Sequence, residues 1–416
     1  MSKRAALLHF ALPILFIAPE VINLGIIFLR WDYILIAYIL TNHFISRPPV
    51  NSNSSLAWSR ATTGIFLIYL ACFILMAIRA GEGEELISGI KYAAWPVKSI
   101  LWAVGVWYVL SRLNGSALTV YSMLRTMVIL VFAMQILEMT LPSFRDWLFK
   151  FYPVAAEERL RELNFRARGP FNGYDTASIF FAVCAVYFHE VRRRNLIYAS
   201  HHFFLIFLSL AGAFLAARTG FILAISYLAL SRYSSANAYV KIITLSFVIA
   251  LYIFLPNYSS DVYAEDTGLL SRYLEVLQAV FSGNILEVSS FSGTFHMNSV
   301  LIRDGMDLFW GEGVSTSTTA DQLYFKYLYM FGVVGLTLWT LIHISMLLTI
   351  SSKKQLQNEG IAARSAGIAI VVMLGLAHIK GGNYFFSARL GEIIAIMLLT
   401  ATLDFKRSRS EPRYAD

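Results

Sequence analysis

The sequence predicts an all-α polytopic membrane protein of about twelve transmembrane helices, and three observations predict it. Of the 416 residues, 57% are hydrophobic and only 14% are charged, against about 25% charged in ordinary soluble proteins. Mean hydropathy is +0.60. The apolar residues are grouped into runs, many of them long enough to cross about 30 Å of hydrocarbon, separated by polar stretches. A soluble enzyme, a disordered chain and a disulfide scaffold are thereby excluded. The two cysteines, Cys72 and Cys184, both lie in apolar runs and read as small buried hydrophobes.

Cutting at polar punctuation places apolar segments near 7–28, 33–46, 62–79, 93–110, 117–139, 174–190, 196–216, 219–231, 239–256, 321–350, 361–378 and 387–403. Segments 33–46 and 219–231 fall short of the roughly 17 residues a span needs, so each must borrow from its polar neighbours. The first follows Lys3-Arg4 and outruns a signal peptide, with no small-residue cleavage site before Arg30, so it reads as a retained span.

Orientation follows from the basic residues. With both termini inside, the inner face receives Lys3, Arg4, Arg192-Arg193-Arg194, Lys353-Lys354 and the tail Lys406, Arg407, Arg409 and Arg413, among half of the chain's 34 Lys and Arg. The reverse topology would export the Arg192 triplet and the tail. The whole chain, 1–416, is then one integral membrane domain with two larger outer loops, 140–173 and 257–320. Within the second, Leu270, Tyr273, Leu274, Leu277, Val280 and Phe281 repeat at three and four, which predicts an amphipathic helix over 269–281. A shorter helix is expected over 157–165. No internal repeat is present.

The two outer loops carry opposite charge, +2 for 140–173 and −6 for 257–320. Arginine suits phosphate because its planar fork donates two parallel hydrogen bonds and stays protonated. Arg166-Ala167-Arg168-Gly169-Pro170-Phe171-Asn172-Gly173 sets two arginines before a Gly-Pro turn and a helix start, where backbone amides also favour anions. These arginines either hold an anion or pair with Glu157, Glu158 and Glu162, or with lipid headgroups. Arg218 stands between two apolar segments with almost no loop, a position that serves a cavity or a partner unless its side chain snorkels. Arg125 and Glu138 share a span more than three turns apart, so they do not pair with each other, and the sequence leaves their partners open.

Further along come Arg303-Asp304-Gly305, Trp310-Gly311-Glu312-Gly313 and Asp321-Gln322-Leu323-Tyr324, then a span with Gly332 and Gly335. A carboxylate at the mouth of a span suits a sugar hydroxyl that must be positioned or deprotonated. Asp321 equally fits as a helix N-terminal charge. No metal ligand spacing, Walker A or GxGxxG is present, and His201-His202 would diverge by about 100° on a helix. Any group transferred at the outer face must arrive already activated in the membrane.

These pieces together resemble the O-antigen polymerase and ligase superfamily of bacterial inner-membrane glycosyltransferases. The resemblance is carried by Arg166 to Asn172, Arg218-Thr219-Gly220, the Arg303 segment with Gly311 and Gly313, and Asp321 to Tyr324 leading into Gly332 and Gly335. It implies a GT-C-like helical bundle with two periplasmic loops. It also implies polymerisation of O-antigen, capsule or exopolysaccharide by transfer of a glycan from undecaprenyl pyrophosphate to another lipid-linked repeat unit. Partners would be undecaprenyl-pyrophosphate-linked oligosaccharides, membrane lipids and a chain-length regulator, with no nucleic acid and no cofactor or metal. Arg166, Arg168, Asn172, Arg272 and Tyr324 would bind substrate, and Asp321, Arg218 and Arg303 would act in catalysis. Ligases of this family carry a histidine where this chain has Asp321, which favours the polymerase. The competing class is a transporter or flippase of lipid-linked sugars, expected to carry polar sites at the bilayer midplane; only Arg125, Glu20 and Glu138 hint at that.

Overall fold

The computed structural model describes residues 12–17, 21–23, 28–30, 41, 117–152, 166–171, 173–231, 309–310, 323–352, 358–378 and 389–402. Their elements run α1 (Leu12–Ile17), β1 (Val21–Asn23), β2 (Phe28–Arg30), α2 (Ala117–Thr140), α3 (Pro142–Phe151), α4 (Tyr174–Arg193), α5 (Ala199–Ala216), α6 (Arg218–Leu230), α7 (Leu323–Ser352), α8 (Asn358–Ala377) and α9 (Leu390–Thr402). Apart from the antiparallel β1–β2 ladder, in which Val21 pairs with Arg30, the described fold is all helical.

The expectation of about twelve spans in a GT-C-like bundle is overturned. Among the described residues four helices are long and apolar enough to cross a membrane: Leu118–Thr140, Ala199–Ala216, Gly332–Ser352 and Asn358–Ala377. The first apolar segment, 7–28, is not one helix, because α1 gives way to the β1–β2 ladder. Segments 219–231 and 387–403 form helices of 13 residues each, about 20 Å long and too short for the hydrocarbon core. Segments 62–79, 93–110 and 239–256 and nearly all of 33–46 lie outside the described residues, as do the helices expected at 157–165 and 269–281.

Within the described residues, α4 shows why an apolar run need not make a membrane-length apolar helix: its 20 residues include Asp175, His189, Glu190, Arg192 and Arg193. Every residue from Ala177 to Val191 is buried, so α4 is wrapped by protein. It packs against α2, α5, α6, α8 and α9 and forms the axis of the described helices. Small residues let the backbones approach where helices cross, which is how helices associate when lipid is as apolar as the side chains. Gly220 of α6 lies so close to the Ser178 backbone of α4 that an added Cβ would collide with it, and Gly212 of α5 sits flat against the Phe181 ring. Ser178 Oγ, buried between them, donates to the Ala217 carbonyl at 2.6 Å.

α7 is continuous to its end except at Gly332, where φ 61 and ψ −165 break the helix. The carbonyl of Phe309 occupies the place a Cβ on residue 332 would need. Glycine here meets both demands, a left-handed φ and a backbone neighbour. Trp339, His343 and His378 pack as a ring cluster behind the break, with His343 and His378 centroids 5.3 Å apart.

Candidate functional site

Chain direction brings several helix ends together. α2 arrives at Thr140 and α5 at Ala216, while α4 departs from Tyr174, α6 from Arg218 and α9 from Leu390. Residues 166–171 cross this end of the bundle, held almost entirely through their backbone. Buried Glu138, near the end of α2, accepts the N–H of Arg168 at 3.0 Å and of Gly169 at 2.8 Å on one carboxylate oxygen. Gln135, one turn earlier, donates from Nε2 to the Ala167 carbonyl at 2.9 Å and to the Gly212 carbonyl at 3.2 Å. The Ala167 N–H donates to the Leu215 carbonyl at 3.0 Å. Gly169 has φ +59, and a Cβ there would lie 3.3 Å from Val131 Cγ1. Loop, α2 and α5 are thus locked into one unit.

Arg168, a residue expected to bind an anion, is fully buried. Its two terminal nitrogens donate to the Phe171 and Tyr152 carbonyls, each at 2.7 Å, and its guanidinium stacks over Phe149 at 4.8 Å. In this arrangement it clamps the end of α3 to the loop. Arg389 makes a second clamp that sequence reading missed. It donates to the Pro170 carbonyl at 2.6 Å and lies over the Tyr152 ring at 4.7 Å, with a left-handed φ of 69, a backbone cost on the order of 1–2 kcal/mol. Burial pushes the Tyr152 phenol up, against the opposing pull of Arg389, so it stays protonated and donates to the Ile17 carbonyl at 2.5 Å. No local pattern marks Arg389: Glu392 follows it in the same apolar segment, and its partner Pro170 lies 219 positions away.

Arg166 is placed differently. It is half-buried, and its guanidinium sits 5.8 Å from the Tyr174 ring centroid, beside the first turn of α4. Arg218 is the first residue of α6. Its neighbour Thr219 donates to Asp175 of α4 at 3.3 Å, tying the first turns of the two helices together. Neither Gly173 before α4 nor Ala217 before α6 closes its helix with a side-chain hydrogen bond. Two helix N-termini, each bearing about half a positive charge, therefore meet where Arg166 and Arg218 enter the fold. Asp175 is the counter-charge in the first turn of α4.

The fold brings together Arg166, Arg168 and the backbone of Arg218. Tyr324 lies in the first turn of α7. Asn172, Arg272, Arg303 and Asp321 lie outside the described residues. Glu138, whose partner sequence reading left open, bonds the loop backbone. Among the described residues no group of three or more His, Cys, Asp or Glu is placed to hold a metal ion. Compared with known proteins, the sequence matches no family model and no curated protein. The resemblance to the polymerase and ligase superfamily rests on its residues alone.

Proposed function

We propose that this chain is a multi-pass membrane glycan polymerase of the bacterial inner membrane, with both termini cytoplasmic. It would move a polyprenyl-pyrophosphate-linked glycan to a lipid-linked acceptor at the outer face. The observation that carries this reading is the meeting, at one end of the bundle, of Arg166, the start of α6 at Arg218, and two uncapped helix N-termini. Such a setting favours a dianionic group. In the reaction an acceptor hydroxyl oxygen bonds to the anomeric carbon, the bond from that carbon to the diphosphate oxygen breaks, and the hydroxyl proton leaves to a base or to water. Positive charge on the diphosphate makes it a better leaving group.

Arg166 and Arg218 are assigned to the diphosphate, with Arg272 and Arg303 as further cations of the outer loops. Asn172 and Tyr324 are assigned to acceptor binding, and Asp321 to orienting the hydroxyl. Arg168, Arg389 and Glu138 keep the loop in shape. Arg218→Ala removes two charge-assisted bonds of about 1.5–3 kcal/mol each, so chain lengthening by purified protein should fall at least about 100-fold while the protein stays monodisperse. Unchanged glycan length would end the assignment.

The break in α7 favours a second reading, a transporter of lipid-linked sugars, because transporters use interrupted helices. Those interruptions stand near the midplane. Gly332 opens the membrane-length stretch Gly332–Ser352 rather than interrupting it, which favours the first reading. Lengthening of lipid-linked oligosaccharide in detergent, without any gradient, separates the two readings. A ligase differs again: its loss abolishes attached surface glycan, whereas loss of a polymerase leaves single-repeat material.

A further inference from the structure

α3 begins one residue after the membrane-length helix α2 ends, with Leu141 between them. Its ten residues, Pro142–Phe151, sort onto three faces. Leu148 is fully buried and Phe149 lies under the Arg168 guanidinium, so this face belongs to the protein. Phe144, Trp147 and Phe151 fall within about 60° of one another at 100° per residue. They form a ladder: Phe144 and Trp147 stack with centroids 5.4 Å apart, and Trp147 and Phe151 follow at 5.0 Å. Ser143, Asp146 and Lys150 occupy the third face and are all exposed.

The ladder is open to the surroundings, with Trp147 44% exposed. It continues an apolar surface that already needs lipid. Ile129, Ile136, Leu137 and Met139 of α2 are exposed, and Leu141 carries the surface across the junction at 47% exposure. A helix with one aromatic face and one polar face, beginning where a span ends, fits the headgroup region, where amphipathic rings are most stable. Arg145 and Lys150 outnumber Asp146 on this helix, a balance that suits anionic headgroups.

We infer that α3 is an interfacial helix whose Phe144–Trp147–Phe151 face is seated in the bilayer. The carbonyl of Tyr152, the residue that ends α3, accepts Arg168, so α3 is tied to the loop 166–171. This inference stands whether or not the chain transfers glycans.

The test uses the full chain in liposomes of phosphatidylethanolamine and phosphatidylglycerol, with nitroxide labels at Trp147→Cys or Asp146→Cys in a Cys72→Ala, Cys184→Ala background. The label at 147 should collide with oxygen several-fold more than with an aqueous nickel chelate, and the label at 146 should show the reverse. Equal nickel access at both positions would place α3 in water and overturn the inference. Exclusion of both reagents from position 147 would overturn it too, since protein would then cover the ladder. If labelled protein does not fold, Trp147→Phe gives a second readout. Bromolipid quenching of the remaining tryptophan fluorescence should drop relative to the parent chain; identical quenching would reject the bilayer as the occupant.

Discussion

At the end of the bundle crossed by residues 166–171, buried Glu138, Arg168 and Arg389 bond backbone groups. At the opposite end of α4, Glu190 and Arg193 bond each other, while Arg192 donates to the Ile197 carbonyl at 2.9 Å. Glu190 accepts Tyr227 Oη at 2.6 Å and Arg193 at 3.0 Å. Buried His189 packs beside them, 5.9 Å from His202 and 6.0 Å from Tyr227. A side chain bonded to another side chain tolerates rearrangement of both. One bonded to carbonyl and amide groups fixes where the main chain runs. The first end therefore holds a shape, and the second neutralises charge.

That contrast is open to attack, most forcefully at Arg168. Arg168→Ala leaves two carbonyls and a guanidinium-sized space unfilled, a loss of about 3–5 kcal/mol. It should abolish a monodisperse peak in detergent or lower the melting temperature sharply. Arg168→Lys should recover little, because one ammonium does not reproduce a planar fork across two carbonyls. Parent-like melting of Arg168→Ala would mean that the loop is held by something else.

A smaller effect is expected from Gly169→Ala. The left-handed φ and the contact with Val131 should together cost about 1–2 kcal/mol, seen as a shift of a few degrees in melting. Comparable in size is Glu190→Gln, which keeps an acceptor for Tyr227 and removes the charge facing Arg193; Glu190 is fully buried, while the Arg193 side chain is 19% exposed and can turn to solvent. Its cost should be about 1–2 kcal/mol, because the guanidinium left behind is not sealed inside. If it destabilised the protein as much as Arg168→Ala, the two ends would not differ in kind.

Reading the chain singled out the arginines before the Gly-Pro turn but did not show how each is bonded. Arg166 and Arg168 looked equivalent, two residues apart before the same turn. One is half-buried beside a helix start and the other is sealed inside. No local pattern separates them, because the difference comes from Tyr152, Phe171 and Phe149, brought in by the path of the chain. Arg389, which bonds Pro170 across 219 positions of sequence, was passed over for the same reason. Gly220 and Gly332 sit where backbones meet, which their place in the Arg218 and Tyr324 motifs did not by itself give.

Composition pointed to a helical membrane protein, and four of the described helices are long and apolar enough to cross a bilayer. Composition could not count the helices that cross the bilayer. Lipid and protein interior are alike to an apolar side chain, so only packing distinguishes α4, enclosed by its neighbours, from α2, with one flank exposed. The same packing decided which arginine holds the loop, because that role depends on which carbonyls come within about 3 Å of a guanidinium.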